Sequence, residues 1–380
     1  MSFLKRLRGD DGRPKSSEPA GHVHDPNLAV NAPGWAAIDA AADGLYHAGP
    51  PFHYGTRIRW RAGGPDPLDG VSVYVNDGPP SHWHFVTYGL SELYAKESSD
   101  PAVSGWGFEL TLRVARNSAE AEPPKWAWSH MQNLARYVFE SGIVFGTNHT
   151  MNLNGPIALQ TETHIRAITF VEDPQLRSIE TPNGWVVFLQ IVGVTLDEYR
   201  AMVEWSVSEI LKILGERDPL FVTDLARQSV LNDPATAEWV RKRENEEGSA
   251  MAGLRASEAG WAAVGGTVRI TIGAMVVDRF QILLTRRCAL GHEAVVWCPG
   301  ASIQIIPAAK FGWHVVGSEP TVRHLEVPPE GARELAASLK PLVDSYTAPS
   351  LAGLIVDVTE TIVRDPQGNE VERIGGPISE

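Results

Sequence analysis

The histidines of the segment His82-Trp83-His84 are the most metal-like feature of this 380-residue sequence. Residues i and i+2 of a β-strand point to the same face, so both imidazoles could approach one ion. A zinc site needs three or four ligands, and no other histidine stands at a spacing that forces it toward this pair. We therefore expect His82 and His84 to be hydrogen-bonding structural or groove residues. The sequence predicts no metal site and no cofactor.

Acidic, serine and cysteine residues form no recognisable catalytic motif. Glu92, Glu109 and Asp173 are each conceivable acids, but none has a second carboxylate at a known separation, so we expect them to be solvated or capping. No G-x-S-x-G elbow is present. Cys288 and Cys298 have a C-x9-C spacing that matches neither a zinc knuckle nor a redox pair, and buried, inert thiols are expected. The sequence thus predicts no catalytic residue and a protein that is not an enzyme.

Tryptophan is unusually frequent, with twelve residues, of which eight precede residue 206. Indole rings are used both in hydrophobic cores and in binding clefts. We expect most of them in the core and the rest on a surface that receives a partner.

Charge and hydropathy exclude several functional classes. The net charge of −13 and the pI near 5.4 disfavour nonspecific binding to nucleic acid and to anionic lipid. The apolar stretches are far shorter than the ~18 residues that a membrane span requires. No apolar segment of a signal peptide follows the basic N-terminal residues, and only two cysteines are present. We expect a cytoplasmic protein that binds neither nucleic acid nor membrane.

Composition along the chain predicts two domains. Residues 1–31 combine basic residues, Pro, Gly and Ser with few large apolar side chains, which is typical of a disordered tail. Residues 32–233 form a first domain, in which apolar runs recur between turn-rich clusters. Residues 234–265, rich in charge, Ala and Gly, predict a helix that ends in a flexible linker. Residues 266–380 form a smaller second domain.

Two helices are expected early in the first domain. The first begins at Pro33 and ends near Gly49. The second has a capping box of Ser129 and Gln132 and a left-handed stop at Gly142.

A third helix follows a second capping box, Thr195 with Glu198, and runs from Leu196 to Leu214 until Gly215 ends it. Between the helices, apolar segments of strand length predict Val71–Val75, His84–Tyr88, Phe108–Val114, His164–Val171 and Trp185–Val194. The first domain is therefore predicted to be α+β, with helices that cover a mixed sheet.

The second domain is also predicted to be α+β. One helix is expected at Gly331–Tyr346, bent or split by Pro341. Its strands are predicted at Val268–Val277, Arg279–Arg286, Ala294–Trp297, Ile303–Ile306, Val322–Val327 and Leu354–Val363.

An ordered series of long motifs in the first domain resembles the suppressor of fused family. It begins with Gly63–Tyr94 (GGPDPLDGVSVYVNDGPPSHWHFVTYGLSELY) and Ser104–Arg113 (SGWGFELTLR). It continues through Pro123–Gly142, Glu172–Leu176 (EDPQL), Thr181–Thr195 and Phe221–Arg227 (FVTDLAR). The resemblance covers about 200 residues, whereas the second domain agrees only in length and strand content.

The resemblance implies an α+β N-terminal domain, a smaller C-terminal domain and a non-enzymatic role. In animal members of the family, the two domains close around an extended peptide of a Gli-type transcription factor, a case of strand addition. The family's groove includes the tyrosine of the GLSxLY motif, which is Tyr94 here. It also includes an acid on the loop before Ser104, where this chain has Pro101 at the aligned position, Asp100 beside it, and a shorter loop. The groove further includes an edge segment after TDLAR, which matches Gln228, Ser229, Val230 and Leu231.

The chain lacks the long polar insertion of the animal C-terminal region and resembles a compact bacterial relative. Relatives of this kind are proposed to be immunity proteins, and an acidic surface suits a basic toxin. The leading hypothesis is an adaptor that holds a peptide or protein, such as a toxin, in a cleft between its two domains. One alternative is a metal-dependent hydrolase that uses His82 and His84. Another is a ligand-sensing module whose cleft closes by hinge motion.

Overall fold

The structure is a computed structural model that describes residues 31–376, except 48, 59, 61–62, 160, 257, 299–300, 317–320 and 365–369. The predicted tail, residues 1–31, lies outside these residues apart from Asn31. The chain divides into two compact units. The first contains the described residues up to Tyr199 together with Ile210–Val230, and the second contains Arg200–Glu209 together with the described residues from Leu231 onward.

One eight-stranded mixed sheet forms the centre of the first unit. Its strands are β1 (Phe52–Gly55), β2 (Gly70–Asn76), β3 (His82–Tyr88), β4 (Val103–Ala115), β5 (Thr150–Asn152), β6 (Ile165–Glu172), β7 (Ser178–Thr181) and β8 (Gly184–Thr195). The order is β1-β2-β3-β4-β8-β6-β5, with β7 paired to β8. Strands β4 and β8 are parallel, and the other pairs are antiparallel. All five strands predicted in the first domain are confirmed. Strands β1, β5 and β7 were not predicted, because their three or four residues are too few to show an apolar pattern.

Helices cover both faces of this sheet, because alternate side chains of each strand point to opposite sides. Trp83 of β3 lies in one core with Leu134 of helix α2 (Lys125–Ser141). Val86 of the same strand lies in another core with Ile38 of helix α1 (Pro33–Asp43). The predicted α+β architecture of the first domain is confirmed.

The start of helix α2 differs from the prediction. It begins at Lys125, because Pro124 disfavours helical backbone in the residue before it and itself takes the N-cap position. Ser129 lies inside the helix and donates a hydrogen bond to the Lys125 carbonyl (3.2 Å), while the Gln132 amide bonds the backbone of Leu68. The capping box at these residues is therefore wrong, whereas the left-handed stop at Gly142 (φ +68°) is confirmed.

The capping box at Thr195 is confirmed in one half, since Glu198 Oε2 accepts a hydrogen bond of 2.9 Å from the Thr195 N–H, whereas the Thr195 hydroxyl donates one of 2.5 Å to Oδ1 of Asp197. The long helix after it is wrong. The chain forms α3 (Leu196–Glu204) and α4 (Val207–Arg217) instead, and α4 passes the predicted stop at Gly215. Ser206 makes the break, because its hydroxyl accepts a hydrogen bond from the Glu209 N–H (3.3 Å) and caps the start of α4.

Besides the end of α3 and the start of α4, the described residues of the second unit form three α-helices and eleven strands. The helices are α5 (Pro234–Glu247), α6 (Val277–Arg286) and α7 (Pro329–Ser338). The strands are β9 (Gly253–Arg255), β10 (Gly260–Val264), β11 (Thr267–Gly273), β12 (Ala294–Cys298), β13 (Ala301–Pro307), β14 (Gly312–Val316), β15 (Thr321–Val327), β16 (Asp344–Tyr346), β17 (Leu354–Thr359), β18 (Thr361–Arg364) and β19 (Glu370–Ile374). They form sheets of order β10-β11-β17-β16, β14-β15-β13-β12-β9 and β18-β19.

Two predictions for the second domain are wrong in detail. The predicted strand Arg279–Arg286 belongs to helix α6, where Phe280, Leu283 and Leu284 are buried at helical spacing. The predicted helix Gly331–Tyr346 ends at Ser338, because Pro341 follows and the chain then extends into β16.

The segment that the sequence predicts as a linker, 234–265, contains helix α5 and the strands β9 and β10, which pair with strands of the second unit. Cys288 is buried in the core of this unit, and burial raises the pKa of its thiol to about 12. This confirms a buried, inert thiol at Cys288. The side chain of Cys298 lies outside the described part of the structure.

Candidate functional site

Tyr94 lies on the loop that follows β3, at the end of the sheet where β4 begins. Its ring packs against the core beside α1, and its hydroxyl donates a hydrogen bond of 2.8 Å to Oδ2 of Asp69. The side chain is half-buried. Tyr94 therefore presents part of a fixed aromatic ring to solvent.

The buried carboxylate of Glu109 holds the turn that leads to Tyr94. It accepts hydrogen bonds of 2.9 Å from the N–H groups of Gly89 and Ser91, one of 2.7 Å from the Ser91 hydroxyl and one of 2.6 Å from Thr87. Burial raises the pKa of Glu109, and these donors oppose the rise. Glu109 is thus a capping acid, which agrees with the prediction.

Glu92 holds the next part of the same loop. Its Oε1 accepts hydrogen bonds from the N–H groups of Glu97 (2.7 Å) and Ser98 (2.5 Å), and its Oε2 lies 3.0 Å from Nζ of Lys96. Burial raises the pKa of Glu92, but the two N–H groups and the ammonium group outweigh it and lower the pKa to about 2. This acid also fixes backbone.

Asp100, the acid beside the position that the resemblance points to, is exposed. One of its oxygens, Oδ1, accepts a hydrogen bond of 2.9 Å from the N–H of Ala102. The Ala102 carbonyl in turn accepts a hydrogen bond of 2.9 Å from the N–H of Trp185, whose side chain is 41% exposed. Exposed tryptophans often dominate binding energy, so Trp185 joins Tyr94 and Asp100 as a candidate. Sequence reasoning missed it, because residue type does not tell which tryptophans face solvent.

The segment Gln228–Leu231 is anchored by the buried carboxylate of Glu198. The guanidinium of Arg227 forms two hydrogen bonds to it, Nη1 to Oε1 (2.6 Å) and Nη2 to Oε2 (2.8 Å). The N–H of Val230 donates a third, of 2.8 Å, to Oε1. One acid therefore joins the start of α3 to this segment.

The four residues of the segment differ in accessibility. Gln228 is exposed and Val230 is buried, while Ser229 and Leu231 are half-buried. Ser229 forms a hydrogen bond with Asp197. Burial raises the pKa of the Asp197 carboxyl, but this bond and the other hydrogen bonds of Asp197 outweigh burial and lower the pKa below its usual value. Gln228 therefore presents the most accessible side chain of the segment.

Gln228 lines a pocket of about 620 Å³ in the first unit. The pocket also contains His164 and Arg166 from the β6 region and Leu225 from the segment before Gln228. Its lining is mixed polar and apolar, so it suits a peptide side chain better than a purely apolar ligand.

Tyr94 and Gln228 lie toward opposite ends of the parallel strands β4 and β8. Trp185 at the start of β8 binds the loop near Asp100, whereas Gly193 near its end donates a hydrogen bond of 3.1 Å to Thr223, shortly before Gln228. Eight residues of strand from Trp185 to Gly193 span about 26 Å. Within the first unit, the structure therefore does not bring the predicted residues into one small site.

His82 and His84 share one face of β3, as predicted, with ring centroids 6.5 Å apart. Nδ1 of His84 accepts a hydrogen bond of 2.7 Å from the Tyr46 hydroxyl, and its Nε2 donates one of 3.0 Å to Oδ2 of Asp173. Nδ1 of His82 lies 2.6 Å from the Pro80 carbonyl oxygen. Both histidines are hydrogen-bonded structural residues, and both ring nitrogens of His84 are occupied.

Asp173 connects His84 to the buried side chain of Arg113. The guanidinium donates to both carboxylate oxygens, at 2.7 and 3.0 Å, and the N–H groups of Gln175 and Leu176 add bonds of 2.9 Å. Burial of Asp173 favours a higher pKa, but His84 and Arg113 hold the pKa of its carboxyl well below the usual range. Burial and Arg113 lower the pKa of His84 to about 4, so the imidazole is neutral at pH 7. This network connects strands and a loop rather than forming a reactive centre.

Across the described ranges, no group of three or more His, Cys, Asp or Glu side chains is placed to hold a metal ion. Nor does any helix among these residues have the length and apolar character needed to cross a bilayer.

Comparison with known proteins agrees with the sequence resemblance. Residues 64–228 match the family model described as Suppressor of fused protein (SUFU). The Suppressor of fused homologs of Homo sapiens and Mus musculus are each 38% identical to this chain over 215 residues. Each alignment covers 52% of this chain and 44% of the relative, so the chain spans less than half the length of these curated relatives.

Two solved structures are also similar. The crystal structure of Drosophila Suppressor of Fused has a TM-score of 0.67 at 21% identity and covers 88% of this chain and 99% of that chain, which shows a shared fold. A chain of the Sufu-Fu complex crystal structure has a TM-score of 0.51 at 29% identity and covers 55% of this chain and 97% of that chain. The predicted resemblance and the predicted α+β fold class are confirmed.

Proposed function

We propose that this chain is a protein-binding regulator without catalytic activity, because residues 64–228 match the suppressor of fused family model. One structural relative comes from a complex of Sufu with Fu, which supports a protein as the partner. The observation that carries the proposal is the placement of Tyr94, Asp100 and Trp185 around one accessible end of the sheet. The Asp100 carboxylate fixes the backbone at Ala102, and the bond to Asp69 fixes the ring of Tyr94.

The partner segment is extended. Tyr94 and Gln228 lie toward opposite ends of β8, and a chain that touches both must span about 26 Å, which takes about eight extended residues. Gln228 and its pocket receive one part of this segment, while the rings of Tyr94 and Trp185 receive another. The prediction that the second domain closes over the same segment rests on the resemblance alone.

The partner is basic, and toxin neutralisation is the most concrete form of the proposal. The net charge of −13 steers a cationic protein toward the chain, and the exposed carboxylate of Asp100 offers it a contact. A toxin that acts on nucleic acid has the required basic surface.

Affinity capture from native cytoplasmic extract tests the protein-binding role. Wild-type chain is compared with Tyr94→Ala, Trp185→Ala and the control Tyr346→Ala, which removes a half-buried tyrosine of the second unit. We expect wild type and the control to retain one stoichiometric protein, and Tyr94→Ala and Trp185→Ala to bind it at least about 30-fold more weakly.

Three outcomes separate the parts of the proposal. If no protein is retained by any variant, a protein-binding role is wrong. Equal retention by all variants places the binding surface elsewhere. For the toxin role, the captured protein expressed alone must arrest growth, and co-expression of wild-type chain, but not of Tyr94→Ala, must restore it.

A further inference from the structure

His314 and His324 are directly opposed on the antiparallel strands β14 and β15 of the second unit. Opposed residues of such a pair point to the same side of the sheet. Their ring centroids are 4.7 Å apart, and the ring planes meet at 64°. His314 is exposed and His324 is half-buried, so solvent reaches the pair.

This separation fits two imidazoles bound to one metal ion. A metal–nitrogen distance of about 2.1 Å puts the ring centroid about 3.2 Å from the metal. At a ligand–metal–ligand angle of about 90–110°, two such centroids are about 4.5–5.2 Å apart. The 4.7 Å of His314 and His324 lies within this range, whereas the 6.5 Å of His82 and His84 lies outside it.

The ring nitrogens of the pair are also available. Within the described part of the chain, no hydrogen bond or ion pair occupies a ring nitrogen of His314 or His324, in contrast to His84. Glu326 is two residues beyond His324 on the same face, and its carboxylate lies over Gly312. Its negative charge favours a cation near the two rings.

We propose that His314 and His324 chelate one Cu²⁺ or Ni²⁺ ion through one nitrogen of each ring, because two protein ligands are too few for a zinc site. Imidazole suits these ions, and Cu²⁺ binds most tightly among them. Two protein ligands leave the remaining coordination positions to water or to a ligand from another molecule. The site uses neither Tyr94 nor Gln228, so it is independent of the proposed peptide contacts.

Calorimetric titration with Cu²⁺ on untagged full-length protein tests the site. The histidines His22 and His24 of the N-terminal segment are first replaced by alanine, because their i, i+2 spacing is a separate source of binding. In this background we expect one ion per chain. His314→Ala and His324→Ala should each weaken binding at least tenfold, whereas His292→Ala, which removes another exposed imidazole of the second unit, should not.

The double variant distinguishes a chelate from two independent ligands. If both rings hold one ion, His314→Ala combined with His324→Ala should bind no more weakly than either single variant. Electron paramagnetic resonance should show two coordinated nitrogens in the background and one or none in each single variant. Additive losses, unchanged binding in His314→Ala, or no binding in the background would each overturn the proposal. His314 is exposed, so its variant serves as the test even if His324→Ala does not fold.

Discussion

Asp173→Asn should destabilise the first unit by about 3–5 kcal/mol, because it removes the only negative charge that the network described above places against buried Arg113. Neither side chain of this ion pair has exposed surface. If the asparagine keeps its oxygen at the position of Oδ1, Nη1 of Arg113 loses the 2.7 Å bond and faces the amide NH₂ group, donor against donor, while Nη2 keeps its 3.0 Å bond without charge assistance. The N–H groups of Gln175 and Leu176 retain an oxygen acceptor, so the loss comes mainly from the uncompensated charge.

Asp77→Asn is the matched control, since it makes the same chemical change in an ion pair of the same unit. Asp77 is 79% exposed where it contacts Arg116, and water screens the pair. We expect a loss of less than about 1 kcal/mol. The ratio of the two losses in unfolding free energy therefore measures how much burial strengthens the effect of removing the carboxylate charge.

The assay is urea unfolding followed by hydrogen exchange on peptides from β3 and β4, which reports the first unit alone. With an m-value of about 2 kcal/mol per M, Asp173→Asn should lower the midpoint by about 1.5–2.5 M, and Asp77→Asn by less than about 0.5 M. Arg113→Gln in the Asp173→Asn background should cost less than it does alone, because the charge it removes is already unpaired. Equal midpoint shifts for the two aspartates would refute the reasoning.

The same pair predicts a pH dependence. The pKa of Asp173 is lower in the folded than in the unfolded protein, where it is about 3.9. The contribution of Asp173 to the free energy of unfolding is therefore fully present above about pH 5, and it is lost as the pH falls below the pKa that Asp173 has in the unfolded protein. The difference in stability between wild type and Asp173→Asn should shrink below about pH 4.

Two further predictions concern the first unit. Burial lowers the pKa of His130 to about 4. As the pH falls below about 6.5, His130 is therefore protonated in the unfolded state before it is protonated in the folded state. The free energy of unfolding decreases by about 2 kcal/mol at pH 5 for this reason. His130→Leu should remove this loss, measured as the change in urea midpoint between pH 8 and pH 5, and an unchanged pH dependence would contradict it. Gly184 has φ +108°, and an added Cβ would lie 2.8 Å from the carbonyl carbon of Val103, so Gly184→Ala should cost about 3 kcal/mol or more. Gly142→Ala, at φ +68° with no atom within 4 Å, should cost only about 1–2 kcal/mol, and equal thermal midpoints for the two variants would argue against backbone contact at Gly184.

Sequence patterns predicted those elements whose apolar pattern or capping residues match the surroundings that the element has in the fold. The strands of the central sheet alternate or run apolar at strand length, and the cap at Thr195 uses only residues within one turn. Helix α6 was predicted as a strand because a short apolar run such as Ile282–Leu284 occurs in both structures, and only packing distinguishes them. Ser129 and Gln132 had the residue types of a cap, but the prolines before Lys125 moved the helix start.

The candidate site was less predictable, because it depends on pairing between distant segments. Tyr94 and Gln228 came from the resemblance, and no pattern in the residues themselves distinguishes them. Trp185 became a candidate only through the strand pairing that places it beside Ala102. His314 and His324 are separated by ten residues, and only the register of their hairpin brings the rings together.

The division of the chain also limits how this protein can be taken apart. Arg200–Glu209 belongs to the second unit although residues on both sides of it belong to the first. Trp205 in this stretch is 1% exposed, its Nε1 donates a hydrogen bond of 2.7 Å to Glu247, and its carbonyl accepts one of 2.6 Å from Ala250. A chain ended at Asp233 would keep Trp205 but lose both partners. Neither unit is therefore encoded by one uninterrupted stretch of the gene, and no single cut in the chain separates the two.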